Sequence, residues 1–576
     1  MNDVFSTPRL PATQVPLWLP LWLGVTLLAI FQHGPMPLYS TRTLAVAWEM
    51  WQHGQFLVPH INGEPYSHKV PLLFWLIHAG WAVFGVNDVW PRVLEVLIGA
   101  GWLVAATALA RRVFALRPAV ADVVPWLLLA LSYVFLFGLQ IMYEMLLALW
   151  VALALCCLAP KPRWGWFGFC LGAGLLTKGP VMLLHVIFPL LLGPWWSEAA
   201  RADRRRWYFG GTLALLGGCA LLVAWALPAG LAGGARYCNE LFFLQTAGRV
   251  VDSFDHARPL WWYLPMIPVL LFPWIGWPRL WAAVAAWRAP LGDGERFAIA
   301  WLAPTFLVLT LVSGKQVYYL LPLLPGAAML LAHALTRCED GAPRRTWLGA
   351  WPLGLALLGV GACLLALRAL VDGGRIASPW LIDAAAQSPL IGAIFVVLGV
   401  WLLVPRRDAG AELRRIALAG LLGTAAMHAL FAHTLWHNFD LTPTAQQLAI
   451  AQAAGRPIAN IGTYEGQFHF AARLTGHIDE IRPHQLADWA RAHPNGLVID
   501  YRSKLEPADL RYGRLIQPFR SRWLTLWDAP ALAALHAGTT PAEPVQPAAL
   551  YPPEYWRYRV PGDAGQTWPD SVDLAE

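Results

Sequence analysis

Long apolar runs broken by short polar connectors occupy most of the chain, and their lengths set the first expectation. Runs lie at about 16–32, 93–110, 123–140, 144–159, 164–177, 180–197, 208–231, 261–282, 297–312, 318–336, 347–367, 386–404 and 416–434. Each approaches the ~20 residues a helix needs to cross ~30 Å of hydrocarbon. The pattern predicts a polytopic α-helical membrane protein with about thirteen spans. After residue 435 the pattern changes. Segments 457–462, 497–501 and 523–527 alternate or run as strands, while 443–454 and 483–492 carry helical spacing. These features predict a small α/β domain over 435–576. Its tail from Thr539, rich in Pro and Ala, reads as extended.

Between the first two runs lies the polar stretch 33–92, which holds Arg42, Glu49, His53, His60, Glu64, His68 and Lys69. Segment 71–84 is apolar but only ~14 residues long, short of a span, and it carries His78. Together with 41–51 it reads as a helix lying along the membrane surface. The basic clusters support this. They are Arg111, Arg112 and Arg117; Lys161 and Arg163; Arg201 and Arg204 to Arg206; Arg288 and Arg296; Arg337, Arg344 and Arg345; and Arg406, Arg407, Arg414 and Arg415. All fall on one side only if 71–84 does not cross, and such clusters mark the cytoplasmic side. The transmembrane domain is then 1–434 with loop 33–92 external, and the odd span count places 435–576 outside as well. The first run lacks a small-residue cleavage motif and reads as a retained anchor.

Composition agrees with a membrane protein. Of 576 residues 57% are hydrophobic and 13% charged, well outside the range of soluble domains. The 33 Trp residues gather where apolar runs meet polar ones, as headgroup anchors do. A formal charge of +7 is dispersed in short clusters and forms no single basic face, which argues against nucleic acid as a partner. The seven Cys show no pairing or metal-ligand spacing. No phosphate-loop, dinucleotide-binding or zinc-finger spacing is present.

Span parity brings four polar clusters to the outer surface: Tyr39 to Lys69; Tyr143 and Glu144 at the start of the fourth span; Thr177 and Lys178 at the end of the fifth; and Arg249 to Arg258 with Lys315, Tyr318 and Tyr319. Singly, Lys69, Lys178, Arg249 and Lys315 read as cations snorkelling to the headgroups. Together with tyrosine hydroxyls they can hold a phosphate whose lipid tail stays in the bilayer. Glu144 reads as a helix N-terminal acid, or as a general base or metal ligand. His68 reads as a surface imidazole or a catalyst. His60, Glu64 and His68 with Glu144 offer donors for a divalent metal, although loop spacing specifies such a site weakly. Glu49 reads as solvated or Arg-paired, and Arg42 as a phosphate or sugar contact.

Segments 41–50 (TRTLAVAWEM), 58–75 (VPHINGEPYSHKVPLLFW), 175–180 (LLTKGP) and 313–322 (SGKQVYYLLP) resemble the membrane glycosyltransferases of the C superfold. Within that group the chain is similar to the bacterial branch of lipid A aminoarabinose transferases and protein O-mannosyltransferase-like enzymes. The resemblance implies an inverting transferase at the periplasmic face of the bacterial inner membrane. It would move a sugar from a polyprenyl-phosphate donor to a lipid or other envelope glycan or protein acceptor. It also implies that Arg42, Lys69, Tyr66, Lys178, Arg249, Lys315, Tyr318 and Tyr319 contact substrate, and it places the family's acidic-Met position on Glu144. One departure matters: the family has an acidic pair before the Thr-Arg, whereas this chain has Tyr39 and Ser40. A tyrosine, with a usual pKa of ~10, is a poor base near neutrality. Glu144, His68 and Tyr39 are therefore the candidates for the missing acid's role. The alternative is a homologue that binds a polyprenyl phosphate or a partner protein without catalysis.

Overall fold

The computed structural model describes residues 17–242, 258–376, 378–406 and 408–542 with 549–550, apart from 339–347. Helices form at the apolar runs: α1 Trp18–Ile30, α2 Tyr39–Gln52, α3 Leu72–Phe84, α4 Val89–Val113, α5 Pro118–Leu129, α6 Ser132–Phe137, α7 Tyr143–Leu158, α8 Trp164–Lys178 and α9 Val181–Leu191. Among the described residues six helices are long and apolar enough to cross a membrane. They are α4, Arg204–Ala232, Asp293–Leu311, Val317–Arg337, Trp351–Asp372 and Ala409–Asn438.

Two of the expected runs differ in form. Segment 261–282 is a chain of short pieces, including Leu260–Tyr263, Met266–Leu270 and Pro278–Ala285. Pro265, Pro268, Pro273 and Pro278 remove amide donors and crowd the preceding turn, so no continuous ladder forms. Segment 123–140 divides into α5 and α6 because Leu131 is extended (φ −68°, ψ 114°). Elsewhere glycine permits close approach: a Cβ on Gly361 would lie 2.8 Å from the Gly392 carbonyl oxygen of the facing helix. Small residues let apolar helices pack backbone to backbone in this way.

The loop after α1 forms α2, a two-stranded hairpin and α3. Strands β1 His60–Ile61 and β2 Glu64–Pro65 pair antiparallel. The turn between them is Asn62-Gly63, with φ of 54° and 81°, the left-handed pair that an Asn-Gly hairpin turn adopts. α3 is held against α2 by His78, buried with its Nε2 2.8 Å from the Ala47 carbonyl oxygen.

The C-terminal residues form a six-stranded mixed sheet in the order β4-β3-β5-β7-β6-β8. Its strands are β3 Ile458–Ile461, β4 Asp479–Ile481, β5 Leu497–Arg502, β6 Leu515–Phe519, β7 Arg522–Asp528 and β8 Ala549–Leu550. Alternation along β5 sends Leu497 and Ile499 into one core with Leu448, Phe468 and Leu524, and Val498 into another with Leu486 and Trp527. The predicted strands become β3, β5 and β7. β4 and β6 escape a sequence reading because one begins with two acids and the other contains Pro518. Most of the expected extended tail lies outside the described residues.

This sheet is docked on segment 33–92 through the hairpin turn. Glu49 of α2, only 3% exposed, accepts hydrogen bonds from the amides of Asn62 and Gly63, the latter at 3.0 Å. The solvated or Arg-paired role expected for Glu49 is therefore overturned: its carboxylate is consumed by two backbone donors. The Asn62 side chain donates to the Ile478 carbonyl (2.9 Å) and accepts from its amide (2.8 Å). Trp48 Nε1 donates to the Leu474 carbonyl at 2.8 Å, and Trp81 stacks on Phe470 with ring centroids 5.5 Å apart.

Bonds from amides to a carboxylate are worth about 1.5–3 kcal/mol each. Glu49→Ala should therefore lower unfolding stability by about 2–4 kcal/mol, read as a reduced Tm of the full chain in detergent, with Glu49→Gln losing less. His469 lies 3.6 Å from Glu49, with its Nδ1 2.8 Å from the Tyr464 hydroxyl. Burial lowers its pKa from 6.5 to about 4, so at neutral pH the imidazole is uncharged and the contact with Glu49 is not an ion pair. A depressed histidine contributes stability above its unfolded value and loses it as pH falls through the folded one. Burial raises the Glu49 carboxyl, against the pull of the Gly63 and Asn62 amides, and this group acts in the opposite sense. Stability supplied by His469 should fade between pH 6.5 and 4, and thermal melts of His469→Gln should be flatter across that window.

Candidate active site

Antiparallel neighbours α7 and α8 bring the start of one helix beside the end of the other. Glu144 lies in the first turn of α7 and Lys178 in the last turn of α8, where an anion and a cation respectively complement the helix dipole. Lys178 ends its helix because Gly179 follows at φ 65°, a conformation that suits glycine. Lys178 Nζ lies 2.5 Å from Glu144 Oε1, and the two side chains are 14% and 6% exposed.

Around this pair the other candidates gather. Lys178 Nζ lies 5.3 Å and 4.6 Å from the ring centroids of Tyr318 and Tyr319. The Tyr39 ring meets Tyr318 edge to face at 6.3 Å. Lys69, on the segment leaving the hairpin, stands 4.9 Å above the ring of Tyr143, the residue before Glu144. Both lysines act electrostatically on the Glu144 carboxylate, and Arg42 acts on Tyr143. Arg42 also pairs with Glu465 of the sheet-bearing segment, at 3.1 Å. Tyr66 stacks on His68 with ring centroids 5.2 Å apart, beside Ser67, whose hydroxyl donates to Glu240 at 2.8 Å.

Two expected members stand differently. Lys315 is 1% exposed, and its ammonium donates to the carbonyls of Arg258 (3.0 Å) and Val312 (2.6 Å), so it braces the backbone beside the tyrosines. Arg249 lies outside the described residues. Glu144 is engaged by Lys178 and is not an open carboxylate. Of the proposed metal donors, His60 has its Nδ1 2.9 Å from the Val58 carbonyl oxygen. Among the described residues no group of three or more His, Cys, Asp or Glu is placed to hold a metal ion. Reasoning from sequence grouped Tyr143 with Glu144 without giving it a role, and passed over Glu465, whose meeting with Arg42 no local pattern announces.

Taking one partner from a buried ion pair strands the other charge, at a cost of about 3–5 kcal/mol. Lys178→Met and Glu144→Leu should each lower the Tm in detergent, and the double variant should regain most of the loss. Additive losses would show that the two charges do not depend on one another.

No protein-family model matches the chain. It is 32% identical over 352 residues to an undecaprenyl phosphate-alpha-4-amino-4-deoxy-L-arabinose arabinosyl transferase 2 of Pseudomonas fluorescens, covering 56% of this chain and 61% of that protein. It is 28% identical over 391 residues to the transferase of Edwardsiella ictaluri, covering 63% and 66%. The matches thus span less than two thirds of these curated relatives. Among solved structures, the fold is similar to ArnT from Cupriavidus metallidurans bound to undecaprenyl phosphate. That likeness has a TM-score of 0.66 at 18% identity and covers 88% of this chain and 97% of that one. The apo form of the same protein gives a TM-score of 0.67 at 16% identity, covering 91% and 98%. By sequence the chain is similar to the undecaprenyl-phosphate-aminoarabinose arabinosyl transferases, and its fold is similar to that of ArnT.

Proposed function

We propose that the chain is an inverting glycosyltransferase that takes an aminoarabinose-type sugar from an undecaprenyl-phosphate donor and passes it to an envelope acceptor, lipid A in the first instance. The observation that carries this reading is the convergence of Lys69 and Lys178 on the first turn of α7, with Arg42 beside them. Cations held in a partly water-excluded site favour a phosphate and stabilise the charge it gains on leaving. The relatives named above are transferases of this kind, which favours catalysis over a lipid-phosphate binder without activity.

In this reading the acceptor hydroxyl attacks the anomeric carbon as the bond to the phosphate oxygen breaks. The sugar inverts and undecaprenyl phosphate departs against Lys69, Arg42 and Lys178. Glu144 holds Lys178 in place. The acceptor proton passes to the His68 imidazole, since Glu144 is committed to an ammonium. Tyr39, Tyr66, Tyr318 and Tyr319 line the approach. Positive clusters such as Arg111 and Arg112 support a topology of about thirteen spans. The site, loop 33–92 and the domain 435–576 then face the periplasm, with 1–434 as the membrane domain.

The test is transfer in membranes supplied with undecaprenyl-phosphate aminoarabinose and lipid A, read by the mass shift of the acceptor. Lys69→Ala should lower kcat/KM at least ~100-fold, and His68→Gln should lower kcat ~100-fold with a small change in KM, in line with the loss of a general base. Near-full activity of Lys69→Ala would sink the assignment. Undecaprenyl phosphate binding without any transfer by the wild type would support the non-catalytic reading.

A further inference from the structure

Two side chains outside the cation cluster grip the segment that presents Tyr143 and Glu144. Residues 138–142 join α6 to α7, and Met142, the residue before α7, is extended (φ −138°, ψ 151°). No side chain of that residue caps the helix. Ser40 of α2 instead accepts the Ile141 amide on its hydroxyl oxygen at 3.1 Å. Glu95 of α4 accepts the next amide, that of Met142, on Oε1 at 3.2 Å. Ser40 is 2% exposed and Glu95 fully buried. Glu95 Oε2 has no hydrogen-bond partner among the described residues.

The arrangement is unusual in its chemistry. A fully buried acidic side chain that makes one amide contact is a costly way to satisfy a backbone donor. Glu95 and Ser40 come from different helices, yet they hold consecutive amides immediately before the turn that carries Glu144. Glu144 acts electrostatically on Glu95, and Glu95 on Tyr143. Those two residues are the platforms of Lys69 and Lys178. A displacement of the α7 start would move Glu144 away from Lys178 and tilt the ring beneath Lys69, while the hairpin still carried Lys69 itself. Misplacement of about 1 Å in a supporting element can cost 100-fold in rate.

We infer that Ser40 and Glu95 are paired positioning residues, which set the start of α7 and thereby the register of Lys178 and Lys69 toward the donor phosphate. The inference rests on the transferase reading above. It gives Ser40, found where the family places an acid, a task other than proton transfer. Glu95 acts through its accepting oxygen, so an amide oxygen in the same position suffices.

The experiment compares Ser40→Ala, Glu95→Ala, Glu95→Gln and Lys69→Ala in the full-length protein, with the transfer assay and hydrogen exchange of residues 139–145 in detergent. Ser40→Ala and Glu95→Ala should each lower kcat about 10-fold with donor KM changed less than about threefold, and should speed exchange at Ile141 and Met142. Glu95→Gln should stay within about threefold of wild type in kcat and keep its exchange protection. Ser40→Ala removes only one oxygen, so it reports even if Glu95→Ala fails to accumulate. Unchanged exchange in Ser40→Ala, or Glu95→Gln as damaged as Glu95→Ala, overturns the inference whatever the activity. Transfer lost in Lys69→Ala but at wild-type kcat in both alanine variants overturns it while leaving the transferase reading intact. Absence of transfer by the wild type, with exchange responding as described, would instead remove the transferase reading.

Discussion

A lysine and a glutamate at the buried end of a helix pair cannot stand alone, and much of this molecule follows from that. Lys178 and Glu144 lie in contact, each mostly shielded from solvent. In such surroundings each charge makes the other tolerable. The meeting requires α7 to begin where α8 ends, which fixes the antiparallel pairing of the two helices. It also requires the aromatic shelf of Tyr318 and Tyr319 to close over the ammonium. The constraint that holds the helices together thus leaves positive charge facing the tyrosines, where an anionic group gains most.

Segment 33–92 supplies the rest by a different physics. Lys69 and Arg42 are carried on α2 and on the segment after the hairpin, whose positions come from backbone hydrogen bonds and aromatic packing more than from charge. Glu49 captures two amides of the turn, and His78 ties α3 to α2. Arg42 is shared between the site and Glu465 of the sheet-bearing segment. The sheet-bearing segment is therefore in electrostatic contact with the same arginine that acts on Tyr143.

Helix positions were legible in the sequence because apolar length is a local signal: every apolar run became helical structure, and the helices expected at 41–51 and 71–84 form as α2 and α3. Continuity was less legible, since four prolines decide the fate of 261–282. The members of the site could be named from type and order, as with Lys178 and Glu144 at facing ends. Their partners could not. Lys315 has the same composition signal as Lys69 yet spends its ammonium on two carbonyls. Glu49 resembled a surface acid because the donors it serves lie on a turn thirteen residues away. Contacts between distant segments, such as Asn62 with Ile478, leave no periodicity to read.

The Asn62-Gly63 turn also orders the making of the protein in time. Its amides meet Glu49 as soon as segment 33–92 is formed, but the Asn62 side chain finds both of its bonds only on Ile478. During synthesis the hairpin therefore waits, with a polar side chain unsatisfied, while the helices after α3 are made and inserted. Domains fold as the chain emerges, so the sheet that completes the turn is among the last parts to exist. The loop that carries Arg42 and Lys69 is thus completed only by a segment 416 residues further along the chain.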